Sequence, residues 1–289
     1  MKKKYDAVIL CGGFGKRLGK LTKYTPKPLL KVLKKPFLFF LLKNLERFKI
    51  KNVILLTYYK SESFKKFLSK YRFENIHLFK ERKKLGTGGS VINILNKLNE
   101  NFYVFNGDTL FDFNYIDLKI NLKNSQCLIA GTKTKKKNTY NYKFNRQKII
   151  KEIEIKINNK VKIISGGVIY ANKKLFENLP AKKKLDLDKD IIWPKILKNK
   201  IAVKIYKNDF HDIGENYYKF YQSSKFIKKV TRKPCCYLDR DGVINVDKGY
   251  VGFKRDFVWK KGVKKAIKFL NDNNYLVIVI TNQAGVAHG

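Results

Sequence analysis

Residues 8–18 read Val8-Ile9-Leu10-Cys11-Gly12-Gly13-Phe14-Gly15-Lys16-Arg17-Leu18, and a second short stretch, Thr25-Pro26-Lys27-Pro28-Leu29-Leu30, follows. An apolar strand that opens directly into glycines lets backbone N–H groups approach phosphate oxygens closely and lets the chain adopt positive φ. Arg17 and Lys27 carry the charge that offsets a triphosphate. The spacing is neither the dinucleotide fingerprint nor a Walker loop, which lacks this Arg and ends in Lys-Ser/Thr. Taken alone, Gly-Gly-x-Gly is equally well a surface turn.

Outward from this loop, apolar runs at residues 5–11, 53–58, 76–79 and 102–105 alternate with amphipathic stretches at 36–48, 61–71 and 88–98. Strands alternating with helices predict βαβ units and a Rossmann-like α/β domain with a mixed, mainly parallel sheet. Apolar runs at 127–131, 148–156, 161–170 and 202–206 have less helix between them and predict a more mixed second half. A helical stretch from Glu215 to Lys228 runs into Lys229-Val230-Thr231-Arg232-Lys233-Pro234, which is polar, basic and closed by Pro. It reads as a linker. The pattern then restarts with a strand at 235–239, a helix at 263–270 and a strand at 276–280. The expected domains are therefore 1–228 and 235–289, joined by 229–234, with no internal repeat.

The 289 residues carry 64 Lys+Arg against 23 Asp+Glu, a formal charge of +41, with 44% apolar and 14% aromatic residues. That apolar content supports real cores and excludes disordered and collagen-like classes. Such a charge is the footprint of a nucleic-acid binder. Only eight of the cations are Arg, however, at positions 17, 47, 72, 82, 146, 232, 240 and 255. Surfaces that read bases or clamp phosphates favour the planar Arg fork. Lys, Asn and Ile share AT-rich codons, so lysine scattered over solvated faces by coding bias is the favoured reading, with no specific nucleic-acid partner. A basic nucleic-acid-binding protein stays as the rival class. No apolar run approaches the ~20 residues of a membrane span, and the N-terminus lacks a signal peptide's apolar core. A cytoplasmic protein is expected. The four cysteines have no zinc spacing and are expected to be reduced.

The first loop resembles the signature of the sugar-nucleotidyltransferase family, the nucleoside-diphosphate-sugar pyrophosphorylases: Gly-Gly-x-Gly-Thr-Arg-Leu followed by Pro-Lys-Pro, with Lys16 departing at the Thr position. Further segments match in order. Glu81, then Leu85-Gly86-Thr87-Gly88-Gly89-Ser90, is similar to the loop that contacts the nucleoside and opens a helix. Phe105-Asn106-Gly107-Asp108 matches the Gly-Asp that holds a metal, Ser165-Gly166-Gly167-Val168 resembles the sugar-contacting segment, and Phe210-His211-Asp212-Ile213-Gly214 matches the late Asp that supplies a second ligand.

The resemblance covers residues 5 to 222 and implies a reaction. A sugar 1-phosphate oxygen attacks the α-phosphorus of a nucleoside triphosphate and displaces pyrophosphate, a step limited by charge repulsion and alignment. It implies Mg²⁺ on Asp108 and Asp212, Arg17 on the leaving pyrophosphate, and Lys27 beside the reacting phosphates. Nucleotide contacts fall to Gly12, Gly13, Gly15, Glu81, Gly86 and Thr87, and sugar contacts to Gly166 and Gly167. The family often has adjacent Glu-Lys before the sugar strand. Here Glu154-Ile155-Lys156 inserts one residue, which in a strand reverses the side-chain face, so Lys156 is the nearest candidate for the sugar phosphate. His211 reads as a packed neighbour rather than a ligand.

After the linker, Asp239-Arg240-Asp241-Gly242 and, about forty residues on, Thr281-Asn282-Gln283-Ala284-Gly285 resemble motifs I and II of the haloacid dehalogenase superfamily, in particular its heptose-bisphosphate and histidinol-phosphate phosphatases. The resemblance implies Asp239 as nucleophile, Asp241 as acid and base, both as part of a second Mg²⁺ site, and Thr281 and Asn282 on the phosphoryl group. The later motifs of that superfamily have no counterpart before His288-Gly289. An incomplete, truncated phosphatase-like domain without hydrolytic activity is expected.

A phosphatase that exposes a sugar 1-phosphate, joined to a transferase that consumes one, makes consecutive steps. The expected substrate is therefore D-glycero-D-manno-heptose 1-phosphate, with GTP as the nucleotide, for surface polysaccharide. Mannose 1-phosphate guanylyl transfer and glucose 1-phosphate thymidylyl transfer stay as alternatives, and oligomeric state is left open.

Overall fold

The computed structural model describes residues 4–122, 124–135, 139–156, 160–180, 183–273 and 275–283. The chain divides into two compact units, Met1–Ile227 and Lys228–Gly289.

In the first unit Ala7, Val8 and Ile9 are completely buried. Consecutive residues can all be buried only in a strand that has neighbours on both edges and cover on both faces. They form β1 (Tyr5–Leu10), after which the chain alternates through α1 (Phe37–Arg47), β2 (Val53–Thr57), α2 (Ser61–Tyr71), β3 (Ile76–Lys80), α3 (Gly86–Asn93) and β4 (Leu98–Asn106). β1 runs parallel to β2 on one side and to β4 on the other, and β2 runs parallel to β3. In α1 the residues Leu38, Leu41, Leu42 and Leu45 share one buried face. That spacing is the amphipathic helical stripe, and each buried Leu contributes roughly 1.5–3 kcal/mol.

The chain continues through β5 (Thr109–Phe111), α4 (Ile116–Asn121), β6 (Cys127–Thr134), β7 (Thr139–Phe144), β8 (Ile150–Lys156), β9 (Lys162–Asn172), α5 (Trp193–Ile196), β10 (Ile201–Ile205), β11 (Phe210–Asp212) and α6 (Tyr217–Thr231). The main sheet has the order β10-β6-β9-β4-β1-β2-β3. Within it β9 runs antiparallel to β4 and β6, and β10 runs parallel to β6. The fold is thus a mixed, mainly parallel Rossmann-like α/β domain.

Several boundaries differ from the sequence expectation. The stretch predicted as helix at 88–98 is α3, a 3₁₀ turn at Leu95–Lys97, and then the start of β4. Leu98 is fully buried and pairs with Tyr5, so sheet registry overrides the helical pattern there. β7 was not expected, and it pairs antiparallel with β8. α6 extends through residues 229–231, half of the segment read as a linker.

The second unit contains β12 (Cys235–Asp239), α7 (Val263–Asp272) and β13 (Leu276–Ile280), with the two strands parallel and Asp239 opposite Ile280. Ile244, Asn245 and Val251 are buried, whereas Phe269 is 67% and Ile280 56% exposed.

Among the described residues no helix is long and apolar enough to cross a membrane. All four cysteines are free, Cys11 and Cys127 buried.

Candidate active site

β1 delivers the glycine loop to the carboxyl edge of the sheet, where ligands of open α/β sheets bind. Cys11 N donates to Leu56 O at 2.8 Å and Gly107 N to Leu10 O at 3.1 Å, so the loop emerges between β2 and β4. Gly15 has φ +69°, and a Cβ there would lie 2.7 Å from Thr22 Cγ2. The Thr22 hydroxyl lies within bonding distance of both Gly15 O (3.0 Å) and Gly19 O (3.1 Å), which holds the 3₁₀ turn bearing Arg17.

Gly12, Gly13, Glu81, Gly86, Thr87 and Asp108 border a cavity of about 260 Å³. Glu81 is only 5% exposed. Its Oε1 accepts from Ser90 Oγ at 2.7 Å, and a Cβ on Gly12 would come 3.3 Å from Oε2. Burial pushes the Glu81 carboxyl above its ordinary pKa, with the Ser90 hydrogen bond pulling the other way.

Asp108 and Asp212 lie 104 positions apart in sequence, and a small sheet brings them together. β5 pairs antiparallel with β11, setting Thr109 opposite Asp212, and Ile213 N donates to Asp108 O at 3.0 Å. Lys27 Nζ donates to Asp108 Oδ2 at 2.5 Å, and Asp212 Oδ1 accepts from Gly214 N at 2.7 Å. The Asp212 carboxyl is pushed up to about 6, first by burial and then by Asp108, against the pull of the Gly214 N–H, Lys27 and Arg17. Lys27 thus contacts Asp108 directly, and the charges of Lys27 and, less strongly, Arg17 bear on Asp212.

Two hard carboxylates, one of them under-compensated, suit a divalent cation such as Mg²⁺, which takes one or two carboxylates and completes its shell with phosphate oxygens and water. No group of three or more His, Cys, Asp or Glu able to hold a metal occurs among the described residues. The donor set fits a cation shared with a substrate phosphate rather than one caged by protein. His211 points elsewhere: its Nε2 lies 2.9 Å from Lys219 O and 3.0 Å from Ser223 Oγ, and its ring stacks on Phe226. It is a packed neighbour, as expected.

A second cavity of about 690 Å³ shares Asn106 with the first and is bordered by Tyr140, Ser165, Gly167, Asp188 and Asp212 among others. Gly167 sits at a break in the β9–β6 register with φ +72°. Gly166 serves packing instead, since a Cβ there would strike the Phe111 ring. The side chain of Lys156 lies outside the described residues, and Glu154 pairs with Lys143 at 3.4 Å.

Tyr140 and Asp188 were not singled out from the sequence. The Tyr140, Tyr142, Phe144 alternation was the available signal for Tyr140. Ser165 N donates to the Tyr140 hydroxyl at 3.2 Å. Asp188 lies in a short π-helix, Leu187–Ile192, capped by Asp186, and it carries no motif.

The chain around residues 183–191 is seated on the Gly86-Thr87-Gly88-Gly89 loop. Gly88 N and Gly89 N both donate to Leu185 O, at 2.9 and 3.2 Å, and Leu187 N donates to Thr87 Oγ1 at 2.8 Å. A Cβ on Gly88 would lie 2.5 Å from Ile191 Cδ1, and one on Gly86 or Gly89 would strike Leu185 O or Lys183 O. These glycines therefore admit a crossing segment, and the Thr87 oxygen is already engaged by it.

In the second unit, parallel pairing places Asp239 and Thr281 at adjacent strand ends. Asp241 is held by Arg240 through two bonds (3.0 and 2.9 Å), by Asn245 Nδ2 at 2.9 Å and by Gln283 Nε2 at 3.0 Å. Those donors, Asn245 first and Arg240 next, hold its carboxyl below the ordinary range. Gln283 Nε2 also donates to Thr281 Oγ1 at 2.7 Å, and Asn282 O accepts from the same amide at 2.9 Å.

The nucleotidyl transferase family matches residues 6–230. The D-glycero-alpha-D-manno-heptose 1-phosphate guanylyltransferase of Campylobacter jejuni is 33% identical over 218 residues, covering 74% of this chain and 98% of the relative. The crystal structure of HddC from Yersinia pseudotuberculosis superposes with a TM-score of 0.69 at 28% identity, over 76% of this chain and 98% of that one; the same protein complexed with GMP-PN gives 0.67. A shorter match of 57 residues, 49% identical, is to the D-glycero-beta-D-manno-heptose-1,7-bisphosphate 7-phosphatase of Haemophilus ducreyi. It covers 20% of this chain, which spans about a third, 31%, of that relative.

Proposed function

The chain belongs to the nucleotidyl transferase family, and on that footing we propose that its first unit joins GTP to D-glycero-α-D-manno-heptose 1-phosphate with release of pyrophosphate. It is an enzyme, a nucleotidyltransferase; the base and the sugar are the proposal. The observation that carries the base is Glu81, a buried carboxyl at the wall of the smaller cavity. Guanine presents two adjacent donors, N1–H and N2–H, on one edge, and a carboxylate accepts both. Thymine and uracil flank their single N–H with carbonyl oxygens that repel it, and adenine's ring nitrogen on that edge is itself an acceptor. The relatives named as heptose 1-phosphate guanylyltransferases support the same pairing.

In this reading Gly12, Gly13 and Gly15 let the loop close on the triphosphate, and Gly86 and Thr87 border the nucleoside. Arg17 steadies the departing pyrophosphate, and Lys27 moves from Asp108 to the reacting phosphates. A divalent ion held by Asp108 and Asp212 would neutralise phosphate charge, as family members generally require. The attacking phosphate is already anionic, so no side chain has to remove a proton. The larger cavity, with Gly167 at its wall, takes the sugar.

For the second unit we propose a phosphatase-like role for Asp239 and Asp241 with Thr281 and Asn282 at the phosphoryl group. The names of the relatives set a condition. The phosphatase relative acts on the β anomer and the guanylyltransferase relatives on the α anomer, so consecutive steps on one chain require this segment to accept α.

Pyrophosphate release should be measured for each nucleoside triphosphate against the heptose, mannose and glucose 1-phosphates, with both heptose anomers. Turnover greatest with GTP and the α-heptose is expected. A preference for UTP, dTTP or ATP would overturn the Glu81 argument, and inactivity with every pair would overturn the transferase reading.

A further inference from the structure

The larger cavity holds four carboxylates: Asp188, Asp209, Asp212 and Glu215. Asp212 is bonded to Gly214 and faces Asp108, and Asp209 and Glu215 each have partners. Asp188 differs. Among the described residues its carboxylate makes no hydrogen bond or ion pair, although its backbone is firmly fixed. Asp188 N donates to Asp186 Oδ1 at 3.0 Å, Lys189 N to the same atom at 2.9 Å, and Leu187 N to Thr87. Asp188 is half-buried at the cavity wall, and a carboxylate that makes no bond there is open to accept from a bound ligand. Burial, with Asp186 adding to it, raises its pKa to about 6.

A carboxylate accepts and cannot donate. It repels phosphate, so it addresses another part of the substrate, while Lys133, Lys207 and Lys219 on the same cavity wall are cations a phosphate can meet. What complements the carboxylate is a group with two neighbouring neutral donors, and adjacent hydroxyls of a sugar ring are that group. We propose that Asp188 is a specificity-determining residue that accepts hydrogen bonds from a pair of hydroxyls on the sugar of the sugar 1-phosphate. This rests on the transferase reading above and deepens it by naming what reads the sugar. The capped π-helix and its bond to Thr87 pre-position the carboxylate, so its energy goes into discrimination between hydroxylated and deoxygenated sugars.

The test uses the full chain, Asp188→Asn as an isosteric variant, and a series of monodeoxy analogues of the best sugar 1-phosphate. Hydrogen bonds to a charged group are the stronger kind. The variant should raise KM for the sugar 1-phosphate about 10- to 100-fold, with kcat and the KM for the nucleotide little changed. Wild type should reject one or two of the deoxy analogues by a similar factor, and the variant should not distinguish them from the parent. Unchanged KM and unchanged discrimination in the variant would overturn the proposal alone. If the variant does not fold, the wild-type series decides: equal use of every deoxy analogue overturns it. Wild type that neither turns over nor binds any sugar 1-phosphate would overturn the transferase reading and this proposal together.

Discussion

Gly214→Ala separates catalysis from folding. Gly214 follows the Asp212-Ile213 turn, and its backbone is not in the left-handed region, so alanine causes no conformational strain. The added methyl would instead fall 2.6 Å from Asp108 Oδ2 and closer still to Lys27 Nζ. Non-bonded heavy atoms meet at about 3.5 Å, so the carboxylate must retreat by roughly 1 Å and the ammonium by more. Both are side-chain tips able to move, which spares the fold. A misplacement of ~1 Å at a reacting centre costs about 100-fold, or ~2.7 kcal/mol of activation free energy. Pyrophosphate release by Gly214→Ala should therefore fall by about that factor, while its thermal unfolding midpoint stays within a few degrees of wild type. Full activity would refute the placement of Lys27 and Asp108 at the reaction centre. A loss fully accounted for by unfolding would refute the claim that the clash is confined to functional atoms.

Three further outcomes are expected. Asp108→Ala and Asp212→Ala should each lower kcat by about 10²- to 10³-fold, as for a lost charge-stabilising group, and chelation of divalent ions should silence the wild type; activity indifferent to a chelator would contradict the cation reading. Glu81→Gln should reduce kcat/KM for GTP about 10- to 100-fold and narrow the gap to other nucleotides, checked by competition between triphosphates. Asp188 should make stability pH-dependent: its folded pKa, about 6, exceeds its unfolded value. The unfolded state therefore releases its proton first as pH rises, and stability present near pH 4 is lost through pH 6, by at most about 3 kcal/mol. Urea unfolding should show Asp188→Asn gaining on wild type across that interval, and parallel curves would contradict it.

The central half of the sheet was legible because Ala7 to Leu10 and Val53 to Leu56 are continuous apolar runs separated by an amphipathic helix. Asp108 and Asp212 were legible as a conjunction, since neither acid alone differs from a turn or capping residue; their meeting through β5 and β11 depends on a pairing of three residues each, too short to read. Asp188 was illegible for a different reason. The proposal for it rests on a carboxylate unpartnered among the described residues, and a linear chain does not show which carboxylates find partners. The +41 charge was read from the sequence as lysine scattered over solvated faces, with Arg17 and Lys27 set apart by their motifs, and the charges of both bear on Asp212.

The seating of residues 183–191 on the Gly86–Gly89 loop bears on how such a protein can diversify. One face of the contact borders the smaller cavity and the other brings Asp188 to the wall of the larger one. A bulkier residue in the loop demands an altered backbone opposite it, so neither segment can drift without the other. Across homologues the two stretches should change in step, and an engineer who grafts one of them into a cousin with a different sugar preference should have to transplant both.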